Sequence, residues 1–232
     1  MKKTEVIALL KSNSDERGVA HWNKRFAKDT NLKSFGIGLT KLRKLAKQIG
    51  KDPGLAARLW KSDVYDVKII ALLIDDPKVI TEDQAEQQVE DLAAGHLAHV
   101  FSTCGAPLSK TAFAPDLANK WVISKDPNRR RCGYGLVSEL TKVKTKKAPE
   151  DAYFLKHIQQ IDQSFDKEEL AVLLAMGGAI MSIGIRNKNL HPIALNVARK
   201  IGPIDFDPDG RCDPFDPVKH LTGDYVKQKL GV

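Results

Sequence analysis

The chain has no run approaching the ~20 consecutive apolar residues of a membrane-spanning helix. Its opening, Met1-Lys2-Lys3-Thr4-Glu5, leads into an amphipathic pattern rather than the apolar core of a secretory leader. The reading is therefore a cytoplasmic protein with no membrane partner. Cysteine is scarce. Cys104, Cys132 and Cys212 are odd in number and form no CxxC, so they suggest neither a disulfide framework nor a zinc site. Each is read as a small buried apolar residue. P-loop, GxGxxG-after-strand, HExxH and GxSxG patterns are all missing, so the chemistries they serve have no support here, and no cofactor or metal is expected. Aromatic residues are only 6%. A groove for another protein normally exposes more of them, which weighs against a protein-interaction scaffold.

What is present is helical periodicity and positive charge. Net charge is +8 in 232 residues, a moderate excess whose placement matters more than its size. From 38 to 50, Leu39, Leu42, Leu45, Ala46 and Ile49 recur at threes and fours; Thr40 is read as the cap and Gly50 as the stop. Similar segments are expected after Asp52-Pro53-Gly54, after Ser62-Asp63 and after Thr81-Glu82-Asp83. Others are expected near 94–104, 108–114, 115–123, 127–141, 149–162, 167–183, 189–201 and 217–229, with no strand ladder. Gly177-Gly178 inside an apolar helix implies close packing or a backbone near a ligand. The expected fold is all-α, a HEAT-like solenoid of antiparallel helix pairs. It is read as one domain over 1–232, more irregular from about 203, and as a monomer.

A repeat supports this. Ala56-Ala57-Arg58-Leu59-Trp60, then Ser62-Asp63 and Lys68, is echoed by Leu117-Ala118-Asn119-Lys120-Trp121, then Ser124-Lys125-Asp126 and Arg129 to Arg131. In each copy a tryptophan ends one helix, and the next helix carries positive charge in its early turns. A helix N-terminus already carries partial positive charge. Arg129, Arg130 and Arg131 there form a local conflict of the kind that marks a functional site, here one suited to a polyanion, with a solvated surface run as the competing reading. At about 100° per residue the three cannot share one direction, so two at most face a ligand.

The order and spacing of Phe35-Gly36-Ile37, Leu39, Leu42-Arg43, Leu45, Leu59-Trp60, Lys120-Trp121, Ser124, Asp126 and Arg130-Arg131 resemble the DNA alkylation repair family, the HEAT-like DNA glycosylases of the AlkD type. Gly210 to Phe215 is similar to the ending of a shorter subfamily. The resemblance implies a C-shaped solenoid that holds duplex DNA, alkylated or distorted, on a basic concave face. It also implies N-glycosyl hydrolysis releasing cationic N3- or N7-alkylated purines. Such lesions need little activation: aromatic faces and a carboxylate near C1′ suffice.

By this resemblance Arg131, ten residues after Trp121, holds the DNA backbone. The family's catalytic aspartate falls near His96, and no acidic residue stands between Leu92 and Pro115. The active-site tryptophans fall on Leu92 and on Ile180 or Met181. Candidates for the missing chemistry are Asp91, a slipped Asp116, and the histidines His96 and His99 one turn apart. Lys68, Arg186 and Lys188 join Arg129 to Arg131 as candidate DNA contacts, with His191 beside them and Lys142, Lys144, Lys146 and Lys147 as a further basic run. The acidic loop of Asp205, Asp207, Asp209 and Asp213 imitates a calcium loop but has Asp216 where the closing glutamate belongs. Three readings stay open: a DNA-binding relative without excision, an active glycosylase with a rearranged site, and a protein-binding scaffold.

Overall fold

The computed structural model describes residues 1–92, 95–145, 148–207, 210 and 212–232. Among them are fourteen α-helices, two short 3₁₀ turns (Pro107–Lys110 and Phe165–Lys167) and two isolated β-bridges, with no strand ladder. No helix among the described residues is long and apolar enough to cross a membrane. The chain divides into two compact units, Met1–Ala112 and Phe113–Val232.

The first unit holds α1 (Lys3–Lys11), α2 (Glu16–Arg25), α3 (Leu39–Ile49), α4 (Pro53–Trp60), α5 (Tyr65–Ile74), α6 (Glu82–Val89) and α7 (Leu97–Ser102). Helix α5 is its centre: nine of its ten residues are buried, and α1, α3, α4 and α7 pack on it. Fully buried Asp66 on α5 organises the segment before α3. Its carboxylate accepts hydrogen bonds from Ser34 Oγ (2.9 Å), Phe35 N (2.7 Å) and Ile37 N (3.0 Å). Gly36 in that segment has φ +74, and a Cβ on Gly18 of α2 would lie 2.0 Å from the Gly36 carbonyl oxygen. Only two glycines allow this approach of backbone to backbone.

The second unit holds α8 (Ala114–Val122), α9 (Pro127–Leu140), α10 (Asp151–Ser164), α11 (Leu170–Gly184), α12 (His191–Ile201), α13 (Pro217–Leu221) and α14 (Asp224–Leu230). Helix α11 is the hub, packed against α9, α12 and α13. A Cβ on Gly177 would meet Ile204 Cδ1 and Phe215 Cε1 at 3.0 Å each, so this glycine seats α11 against the Ile204–Phe215 bridge. Gly178 faces open space.

Several expected boundaries move. Gly38, not Thr40, stands at the start of α3: its carbonyl accepts from Lys41 N and Leu42 N, which puts Thr40 inside the first turn. Asp63 does not open α5. Lys33 N donates to the Asp63 carbonyl and Lys33 Nζ pairs with its carboxylate at 3.0 Å, which leaves Val64 as the extended residue before the helix. The 217–229 segment splits at Thr222-Gly223 into α13 and α14. Thr81 and Asp126 cap α6 and α9 through their side chains, accepting from Gln84 N and Arg129 N. Cys132 is buried as expected, whereas Cys104 and Cys212 are exposed. Lys146, Lys147 and Asp209 lie outside the described residues.

His157 on α10 is fully buried, and neither ring nitrogen has a hydrogen-bond partner among the described residues. Burial, and secondarily the Lys156 charge, pushes its imidazole down to about 4. The folded chain thus keeps it neutral while the unfolded chain protonates it near 6.5. Stability is therefore lost as pH falls from 6.5 towards 4. Between pH 7 and pH 5 this group should remove about 2 kcal/mol. His157→Phe should abolish that part of the pH dependence of urea unfolding; an identical pH dependence in both proteins would refute the assignment.

Candidate nucleic-acid interface

The turn from α8 into α9 is built from local rules and one long-range clamp. Asp126 caps α9, Pro127 takes its first position, and Ser124 Oγ accepts from Asp126 N. Gly133 lets α9 lie close to α8: a Cβ there would sit 2.8 Å from Val122 N. Trp121 is completely buried beneath the turn.

The three arginines then diverge. Arg130 Nε and Nη2 donate to the Glu168 carboxylate at 2.8–3.1 Å, and Nη1 donates to the carbonyls of Ser124 (3.0 Å) and Lys125 (2.9 Å). The Glu168 carboxylate holds Arg130 above its ordinary value. Arg130 therefore fastens the turn to the segment before α11. Arg129 lies 3.9 Å from the Asp126 carboxylate. Arg131 is partly buried and, among the described residues, makes no ion pair and no hydrogen bond through its side chain. On the same turn Lys125 is exposed and Ile123 is 73% exposed, an apolar tip amid positive charge. No periodic pattern pointed to Ile123 or to Glu168; both stand outside the helical repeat of apolar positions.

The other candidates are placed differently. Lys68 is buried on α5, with Nζ 4.1 Å from the Trp60 ring centroid and 3.3 Å from Asp91 Oδ2. Asp91 is thus the counter-ion of a buried lysine. Arg186 donates to the carbonyls of Thr141 (2.9 Å) and Pro149 (3.0 Å), lies 3.7 Å from Asp151 Oδ1 and covers the Phe154 ring. These contacts bind α11 to the start of α10. Lys188 is exposed. His191 is buried, its Nδ1 3.0 Å from the Gly184 carbonyl. Lys142 pairs with Glu139 at 2.6 Å.

In the first unit His96 and His99 have ring centroids 6.2 Å apart. His96 N donates to the Tyr65 hydroxyl at 3.2 Å, and burial pushes that phenol up to about 12. His99 reaches Thr103 and Cys104 instead. Among the described residues no cluster of His, Cys, Asp or Glu could hold a metal ion.

The family model described as "DNA alkylation repair enzyme" matches residues 6–201. The chain belongs to this family. It is 24% identical over 176 residues to the uncharacterized protein Lin0241 of Listeria innocua, covering 75% of each chain. Its fold is similar to a solved structure described as "a new family of proteins related to the HEAT-like repeat DNA glycosylases with affinity for branched DNA structures". The TM-score is 0.81 at 20% identity, over 100% of this chain and 97% of that one. The HEAT-like helical-repeat fold expected from the sequence is therefore the fold of this family member. At the positions where the resemblance expects tryptophan, Leu92 and Ile180 are buried core residues and Met181 is partly buried.

Proposed function

We propose that this member of the family binds DNA through its phosphate backbone at the α8–α9 turn, and that it does so without base excision. The observation that carries the reading is Arg131. The residue is partly buried with no carboxylate partner among the described residues, beside Arg130 whose charge Glu168 already balances. Phosphate supplies the planar pair of acceptors that such a fork matches. Lys125 and Arg129 add charge that positions the backbone without reading sequence.

The proposed substrate class is duplex DNA with an interrupted or distorted stack, branched DNA included. The similar solved structure concerns proteins with affinity for branched DNA. Ile123 supports this on physical grounds: an exposed apolar side chain beside phosphate-binding arginines suits an opened base step. The excision chemistry is argued against by Asp91. A carboxylate that must stabilise a developing cation is here opposed by Lys68 at 3.3 Å.

The test uses one tube. Binding of a labelled four-way junction and a matched methylated duplex is followed against salt, while free 7-methylguanine is measured under single-turnover conditions. The expected log–log salt slope is roughly −4 to −5, for about four to six neutralised phosphates. Base release should not exceed the spontaneous rate. A slope near zero would end the phosphate reading, and faster release would establish a glycosylase with a rearranged site.

A further inference from the structure

The three cysteines occupy unlike surroundings. Cys132 is buried, Cys212 is exposed, and Cys104 is exposed with its Sγ 2.8 Å from His99 Nε2. The other ring nitrogen, His99 Nδ1, lies 2.9 Å from Thr103 Oγ1. That hydroxyl has one proton, which it donates to the His99 carbonyl oxygen at 2.6 Å. Oγ1 is then left to accept from the ring, which places the proton on Nδ1 and makes Nε2 the acceptor. That acceptor lies against the thiol. A nucleophile within reach of a base, and a base oriented by a third group, is the arrangement that activates side-chain nucleophiles.

The backbone cooperates. Cys104 is the only non-glycine with positive φ among the described residues (+58), and Gly105 follows at +77. Left-handed backbone is uncommon outside glycine. It turns the Cys104 side chain back towards the end of α7, where His99 lies. A Cβ built on Gly105 would meet nothing within 4 Å, and Cys104 itself is exposed.

We propose that Cys104 is a reactive thiol, with His99 as its base, that undergoes exchange with low-molecular-weight disulfides. The thiol proton passes from Sγ to His99 Nε2 as sulfur attacks one sulfur of the disulfide. A new S–S bond forms to Cys104 and the old one breaks. The departing thiolate takes the proton from His99. One disulfide is exchanged for another: the incoming disulfide is the only oxidant, half of it leaves as thiol, and added thiol reverses the step. The proposal does not rest on the DNA-binding reading.

The experiment uses the full chain, oxidised glutathione as the probe and Cys212 as the internal reference. Acid quenching and peptide mass mapping give the rate of mixed-disulfide formation at each cysteine. Cys104 should react about tenfold or more faster than Cys212, the scale a positioned base supplies. His99→Gln should bring Cys104 down to the Cys212 rate and leave Cys212 unchanged. Equal rates in the unaltered protein would overturn the proposal, as would an unchanged Cys104 rate in the variant. Modification of buried Cys132 reports unfolding of a variant. Thr103→Val, which removes the acceptor from Nδ1, then takes its place with the same expected slowing.

Discussion

Asp66→Ala should destabilise the first unit by about 3–5 kcal/mol. The carboxylate is fully buried and accepts from Ser34 Oγ, Phe35 N and Ile37 N. Alanine leaves those donors without their acceptor, the buried Ile37 N–H above all, each at a cost of about 1–3 kcal/mol where water cannot take its place. A total of about 3–5 kcal/mol is a large part of the roughly 5–15 kcal/mol that holds a domain together. Asp66→Asn should fare little better, since its amide nitrogen would be set against one or more of those same donors. Gly18→Ala acts on the same joint from the other side, forcing a Cβ to within 2.0 Å of the Gly36 oxygen. Urea unfolding resolved by hydrogen exchange will show lost protection in 34–37 and α5, with the second unit unaffected. A midpoint equal to that of the unaltered protein would show that the segment before α3 does not depend on this carboxylate.

Arg131→Glu should weaken binding of branched and duplex DNA about ten- to a hundredfold at moderate salt, with little change in stability. One phosphate contact is lost and a repulsive charge added, so Arg131→Ala should also flatten the salt slope by roughly 0.9. The loss should be similar across DNA sequences, because phosphate contacts position without specifying. Its neighbour should behave in the opposite way. Arg130→Ala breaks the Glu168 pair and frees the carbonyls of Ser124 and Lys125. Leaving the largely buried Glu168 without its partner costs about 3 kcal/mol. Paired binding and denaturation curves separate the two roles. Undiminished affinity in Arg131→Glu would remove the α8–α9 turn as the interface.

Much of the helical pattern was readable because its causes are local. Thr81, Asp126 and Gly50 act within one turn of the helix ends they mark. Thr40 and Asp63 misled although each is suited to capping: the Gly38 carbonyl takes the first hydrogen bonds of α3, and Lys33 engages both the carbonyl and the carboxylate of Asp63. The basic cluster at the start of α9 was visible as a cluster. Which of its members is open to a ligand was not, because Glu168 lies 38 residues from Arg130 along the chain. Lys68 and Arg186 looked like the same kind of residue, and their long stems carry their charges onto Trp60 and Phe154.

By itself the sequence determined the all-helical class, the order of helix pairs and membership of the DNA alkylation repair family, since periodicity, caps and motif spacing are properties of consecutive residues. Only the tertiary structure decided which charges are answered within the fold. It joined Arg130 to Glu168 and Lys68 to Asp91, left Arg131 without a carboxylate among the described residues, and turned Cys104 outward against His99. Across helices, pairing depends on distances of a few ångströms between residues tens of positions apart, and no linear pattern records those distances.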